Sequence, residues 1–151
     1  MEVADRIIVL NKGNIEQIGT PEEIYNRPAT PFVYDFIGHA NVFHGSAEAN
    51  VIHIGDYSLR NTGEQFVPST SVAVYVRPHN FALSSEPKDG YFEAKIAYIN
   101  AASAVIRLEL RSAISEQQIQ VEVPRSMSHL FHLEPGLVIY AKPTEFRWFS
   151  K

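Results

Sequence analysis

The chain has 151 residues, 45% of them hydrophobic and 20% charged, with a formal net charge of −4; that length accommodates one domain with its own core and an appendage beside it. Its 13 Lys and Arg are scattered along the sequence, so the basic footprint of a nucleic-acid binder is absent. There is no Cys, which excludes disulfides, thiolate metal sites and a Cys nucleophile and fits a reducing compartment.

The first residues carry Glu2 and Asp5 instead of a basic region, and no apolar run approaches the ~18 residues of a spanning helix. The expectation is a soluble, cytoplasmic chain. Ile7 to Leu10 is a continuous apolar run suited to a strand covered on both faces. Asn11-Lys12-Gly13 supplies a turn, and Asn14 to Ile18 returns as a more polar strand. A hairpin of this kind is marginal alone and calls for a partner to cover it. Two short helices follow. Thr20-Pro21-Glu22-Glu23 is a capping box with Pro at the first helical position, and Pro28 ends that helix at Arg27. Thr30-Pro31 starts a second helix that runs through Ile37 to Gly38, with Phe32, Val33, Phe36 and Ile37 at helical spacing as its apolar face. That stripe reads as core packing. Pro28-Ala29-Thr30-Pro31, between the helices, reads as a hinge.

Beyond Gly38 the period changes to two. In Val105 to Arg111 the residues Ile106, Leu108 and Leu110 face one way and Arg107, Glu109 and Arg111 the other, which is the pattern of a half-exposed antiparallel strand. Ile119, Val121 and Val123 alternate likewise, as do Phe92, Ala94, Ile96 and Tyr98. Further strands are expected at Ala40 to Glu48, Val51 to Ile54, Val72 to Val76, Ala82 to Ser84, Leu137 to Ala141 and Phe146 to Phe149, with a helical turn around Arg125 to Leu133. Many short strands between turn signals predict a mainly β domain, a small antiparallel barrel or sandwich. The boundary falls between Gly38 and His39.

No catalytic constellation is visible: G-x-S-x-G, a glycine-rich phosphate loop and H-E-x-x-H are all missing. His129 and His132 lie three apart, with Glu134 the nearest further ligand type. A zinc site recruits three or four protein ligands, so solvent-facing histidines are the favoured reading, and no metal or cofactor is assigned. Val76-Arg77-Pro78-His79 stands out. It ends a strong strand with a cation, a rigid Pro and a titratable ring, so Arg77 and His79 are the candidate oxyanion contacts. The alternative is that Arg77 pairs with a neighbouring carboxylate while Pro78 stops the strand.

The run EVADRIIVLNKGNIEQIGTPEEIYNRPATPFVYDFIG contains A-D-R-I, an N-x-G turn, I-x-Q-x-G-T-P and E-x-Y-x-x-P in that order. It resembles the segment that ends the nucleotide-binding domain of importer-type ABC transporter ATPases. Its continuation FIGHANVFHG, followed by YVRPHNF, resembles the sulfate/thiosulfate import ATPases, whose appended part is a β-barrel of the oligonucleotide-binding-like class often called TOBE. The resemblance implies that residues 1–38 are the C-terminal remnant of an ABC nucleotide-binding domain with its linker helices. Residues 39–151 would then be a TOBE-like regulatory and dimerisation domain. The phosphate loop, signature motif and acidic strand end of such ATPases lie upstream of the position matching Met1. The chain is therefore expected to be non-catalytic, with ATP and Mg belonging to the full-length parent. The implied partners are a second copy of the chain, the upstream nucleotide-binding domain and the membrane permease subunits, at the inner face of the cell membrane. The alternative is a small-oxyanion-sensing domain of a related molybdate- or sugar-type importer ATPase.

Overall fold

A computed structural model describes residues 5–61, 66–101 and 103–151. The chain divides into two compact units, one running through Ala40 and the other from Asn41 to Lys151.

In the first unit, β1 (Ile7–Asn11) and β2 (Asn14–Gly19) pair antiparallel, with Lys12 and Gly13 both at positive φ in the turn. Two helices follow, α1 (Pro21–Asn26) and α2 (Pro31–Ile37). The expected capping box is formed: Glu23 N–H donates to Thr20 Oγ1 at 3.2 Å, and Thr20 N–H donates to Glu23 Oε2 at 2.9 Å. Thr30 caps α2 through Val33 N–H. The small core is Val9, Ile24 and Val33, with Ile7, Phe32 and Ile37 packed on it. The α2 stripe departs from the expected one. Val33 and Tyr34 are buried while Phe36 is 66% exposed, stacked on Phe32 at 5.8 Å between ring centroids. Seven residues make only two turns, so the buried side of α2 is narrower than four apolar positions suggest.

The segment between the helices is no loose hinge either. Gln17 Nε2 donates to Arg27 O at 2.9 Å, Ala29 N–H donates to Gln17 Oε1 at 2.8 Å, and Thr30 Oγ1 donates to Glu16 Oε2 at 3.0 Å. One amide side chain on β2 thus holds both flanks of the buried Pro28. This gives the Gln of I-x-Q-x-G-T-P a physical task.

The second unit contains β3 (Asn41–Ala49), β4 (Val51–Ile54), β5 (Tyr57–Arg60), β6 (Phe66–Val76), β7 (Phe81–Ser84), β8 (Phe92–Asn100), β9 (Val105–Arg111), β10 (Ile119–Pro124), β11 (Val138–Pro143) and β12 (Arg147–Ser150). One five-stranded antiparallel sheet has the order β12-β6-β3-β4-β5 and another β10-β9-β8-β11-β7. Their inner faces share a single core, with Leu108, Leu110, Val121, Val72 and Val74 fully buried. Arg107 points outward and pairs with Glu122 at 3.2 Å, so the period of two in β9 sets its register as read from the sequence. The fold is mainly β and close to a closed antiparallel barrel.

Several boundaries differ from the expected ones. β5 was not anticipated, β6 starts six residues before Val72, and the turn after β10 is a 3-10 helix spanning Arg125–Leu130.

Candidate functional site

The two stretches that carry the family resemblance in the second unit, around Asn41 and around Arg77, come together at one corner. Asn41 opens β3 and lies opposite Val76 at the end of β6. Its side chain is buried, and its Nδ2 donates to Val76 O at 3.2 Å and to Gln120 O at 2.7 Å. Gln120 N–H donates back to Asn41 Oδ1 at 2.7 Å. An amide has one acceptor oxygen and two N–H donors, so it can replace a strand edge. Here it joins β10, at the rim of one sheet, to the β3–β6 pair of the other.

The chain then turns. Pro78 ends the strand, Asn80 N–H donates to Arg77 O at 2.9 Å, Glu122 N–H donates to Pro78 O at 2.8 Å, and Thr144 N–H donates to Asn80 O at 2.9 Å. Backbone from β10 and from the β11–β12 connection is thereby fastened to the Arg77–Asn80 turn. Arg77 is 4% exposed, whereas His79 two residues later is exposed. Arg77 takes part in an interaction within the fold. The two candidate oxyanion contacts thus lie on one turn but in opposite surroundings, one inside the corner and one in solvent.

His129 and His132 are both exposed, and His132 Nε2 lies 3.4 Å from Glu134 Oε1. No cluster of three or more His, Asp or Glu converges among the described residues. His53 Nδ1 meets Ser58 Oγ at 3.1 Å across β4 and β5. Sequence reasoning missed Asn41 as the clasp. Its partners are 35 and 79 residues away, and only its place in FIGHANVFHG marked it.

Comparison with known proteins agrees with this arrangement. Residues 41–83 match the family model of the CysA C-terminal regulatory domain, and residues 86–144 match that of a TOBE-like domain. The sulfate/thiosulfate import ATP-binding protein CysA of Bacillus cereus is 35% identical over 150 residues, which is 99% of this chain and 42% of that protein. The CysA protein of Nitrosomonas europaea is 39% identical over 155 residues, again 99% of this chain and 42% of its own length. The chain therefore spans less than half the length of these relatives. Among solved structures, the cytoplasmic molybdate-binding protein ModG, in a form with molybdate bound, superposes with a TM-score of 0.56 at 15% identity. The match covers 72% of this chain and 94% of ModG. At that identity the likeness shows the barrel fold. With both domain models adjoining and relatives aligned along nearly its whole length, the chain matches the C-terminal regulatory part of sulfate/thiosulfate import ATP-binding proteins.

Proposed function

We propose that this chain is the non-catalytic regulatory and dimerisation part of the ATP-binding subunit of a sulfate/thiosulfate ABC importer. The observation that carries the reading is the match of 99% of the chain to import ATP-binding proteins, with the regulatory-domain model falling on residues 41–83. The structure adds a physical support. Ile8, Leu10, Ile15 and Ile18 are 46–59% exposed, and Ile8 pairs with Ile18 and Leu10 with Ile15 across the hairpin. They form one apolar face opposite the face that packs on Ile24 and Val33, and such a face on a two-stranded sheet suits a further domain laid against it. In the importer that domain is the nucleotide-binding domain, which brings ATP and Mg, and the permease subunits hold the assembly at the cytoplasmic side of the membrane. No helix among the described residues is long and apolar enough to cross a membrane.

The chain itself carries no glycine-rich phosphate loop, so calorimetric titration with ATP should show no saturable binding, and micromolar binding would overturn the reading. Regulation is tested in the full-length subunit. Removing the residues equivalent to 41–151 should leave ATP hydrolysis but abolish its control in sulfate uptake assays. Unchanged control would assign these residues a structural part only.

The second reading is oxyanion sensing at Arg77 and His79. It draws support from the fold shared with a molybdate-binding protein and from the placing of both residues on one turn. The burial of Arg77 requires the turn to open for an anion to reach it. Titration with sulfate and with molybdate should then shift the Arg77–Asn80 resonances, and silence there removes this reading while leaving the importer reading intact.

A further inference from the structure

The loop joining β9 to β10 faces the start of β3 across a groove of about 560 Å³, with Val42, Ile114, His44 and Glu116 in its walls. A second hollow of about 350 Å³ shares Ser115, Glu116 and Gln117 with the first and adds Arg111. Both lie within the barrel unit. The walls are held in place from two sides. Ser115 N–H donates to Ser112 O at 3.3 Å, Ser112 Oγ donates to Glu93 O at 2.8 Å, and the Asn41–Gln120 clasp sits at the residues flanking the groove. A site held in this way requires little ordering when it is filled.

The charges around it are arranged unevenly. Arg111 stands directly opposite Lys95 in the β8–β9 register, and like charges facing each other across strands are unfavourable. Arg111 has no ion pair with a described carboxylate, and Glu116 has none with a described cation. An anionic group beside Arg111 would relieve the repulsion from Lys95. A bare oxyanion in the same hollow would also meet the Glu116 carboxylate. The chemistry that satisfies both is a ligand carrying one carboxylate and one ammonium on the same carbon. The adjoining apolar wall of Val42 and Ile114 adds room for an aliphatic side chain.

We propose that this groove binds a small α-amino acid with an aliphatic side chain, its carboxylate on Arg111, its ammonium on Glu116 and its side chain against Val42 and Ile114. The site does not depend on ATP, on the importer reading or on the Arg77 turn, and its failure would leave those readings untouched. It is tested by heteronuclear NMR titration of the 151-residue chain with L-valine, with isobutylamine, with 3-methylbutanoate and with sulfate. L-valine should saturate shifts at residues 42–44 and 111–118, while the two analogues, each lacking one charge, bind about tenfold more weakly or not at all. Arg111→Gln and Glu116→Gln, both exposed positions that leave the core intact, should each weaken L-valine by about tenfold. Three outcomes overturn the proposal: no saturable shift with L-valine, equal response to valine and both analogues, or sulfate occupying the same residues more tightly than valine.

Discussion

Asn41 uses three hydrogen bonds to do what a strand edge does elsewhere, two donated by its Nδ2 and one accepted by its Oδ1. Truncation to alanine leaves the Val76 and Gln120 carbonyls and the Gln120 N–H without these partners in a buried corner. The expected loss is about 2–4 kcal/mol in urea denaturation. Asn41→Asp keeps the shape but turns a donor into an acceptor facing two carbonyl oxygens, so it should be no milder than alanine. A mild aspartate variant would mean that the clasp is dispensable. Tyr57 is a second buried polar group whose environment makes a measurable claim. Its hydroxyl donates to Gly90 O at 2.8 Å, its ring meets Phe92 edge-on, and burial pushes its pKa up to about 12. Below pH ~10 the phenol is neutral in the folded and unfolded chain alike, so it adds no pH dependence there. Between pH ~10 and about 12 the unfolded chain ionises while the folded one stays neutral. Stability should therefore fall as pH rises through that window, and Tyr57→Phe should flatten the fall relative to the parent in urea titrations at each pH. Equal slopes for the two proteins would show that the phenol is solvated.

The strands show where sequence patterning carries information and where it runs out. β9 and β10 were legible because three inward and three outward residues alternate in each, enough repeats to fix period and face. β5 offers only Tyr57 and Leu59 as inward positions behind a Gly55-Asp56 turn, too short a pattern to separate from a loop. The early part of β6, FVPSTS, contains a Pro and polar residues, and its strand state comes from pairing with β3, not from its own composition. At the corner, sequence singled out Arg77 and His79 by their chemistry. It had no means of showing that one would be buried and the other exposed, because that depends on Glu122 and Thr144 far along the chain. Gly45 belongs to the same lesson. It looked unremarkable within FIGHANVFHG, yet a Cβ at that position would collide with the carbonyl oxygen of His53 on β4. Gly45→Ala must push β3 and β4 apart near their paired residues Ser46 and His53, so it should cost roughly 1–3 kcal/mol of stability. Gly55→Ala has open space around its Cβ position and pays only for a left-handed backbone at φ +58. The Gly45 variant should be the weaker of the two in thermal melts, and the reverse order would refute the close-approach argument.

For the whole molecule the open question is what covers its exposed apolar residues in solution. The first unit leaves Ile8, Leu10, Ile15 and Ile18 on one side of a two-stranded sheet, and the second exposes Tyr98, Met127, Leu130 and Val138 around β8, the 3-10 helix and β11. Exposed apolar surface of this kind favours association, and a short two-stranded hairpin with open edges is a ready template for pairing with a second copy. The isolated chain is therefore expected to sediment as a dimer at tens of micromolar. Two routes lead there, and they make different demands on the sequence. If the barrel surface carries the contact, a chain beginning at His39 stays dimeric, because the Asn41–Gln120 clasp and the shared core are retained intact. If the hairpin carries it, that shortened chain becomes monomeric, and Ile8→Ser with Ile18→Ser in the full chain does the same. These two substitutions face away from Val9, Ile24 and Val33, so they should leave the small core of the first unit undisturbed and report on association alone. Pinning of the Arg27–Ala29 segment by Gln17 argues against exchange of a swinging arm and for edge or face pairing of two intact hairpins. Gln17→Ala tests that distinction, since freeing the segment should promote exchange and raise the dimer fraction, whereas paired intact hairpins would be unaffected. A 151-residue chain that sediments as a monomer at this concentration removes both routes, and with them the dimerisation part of the proposed function.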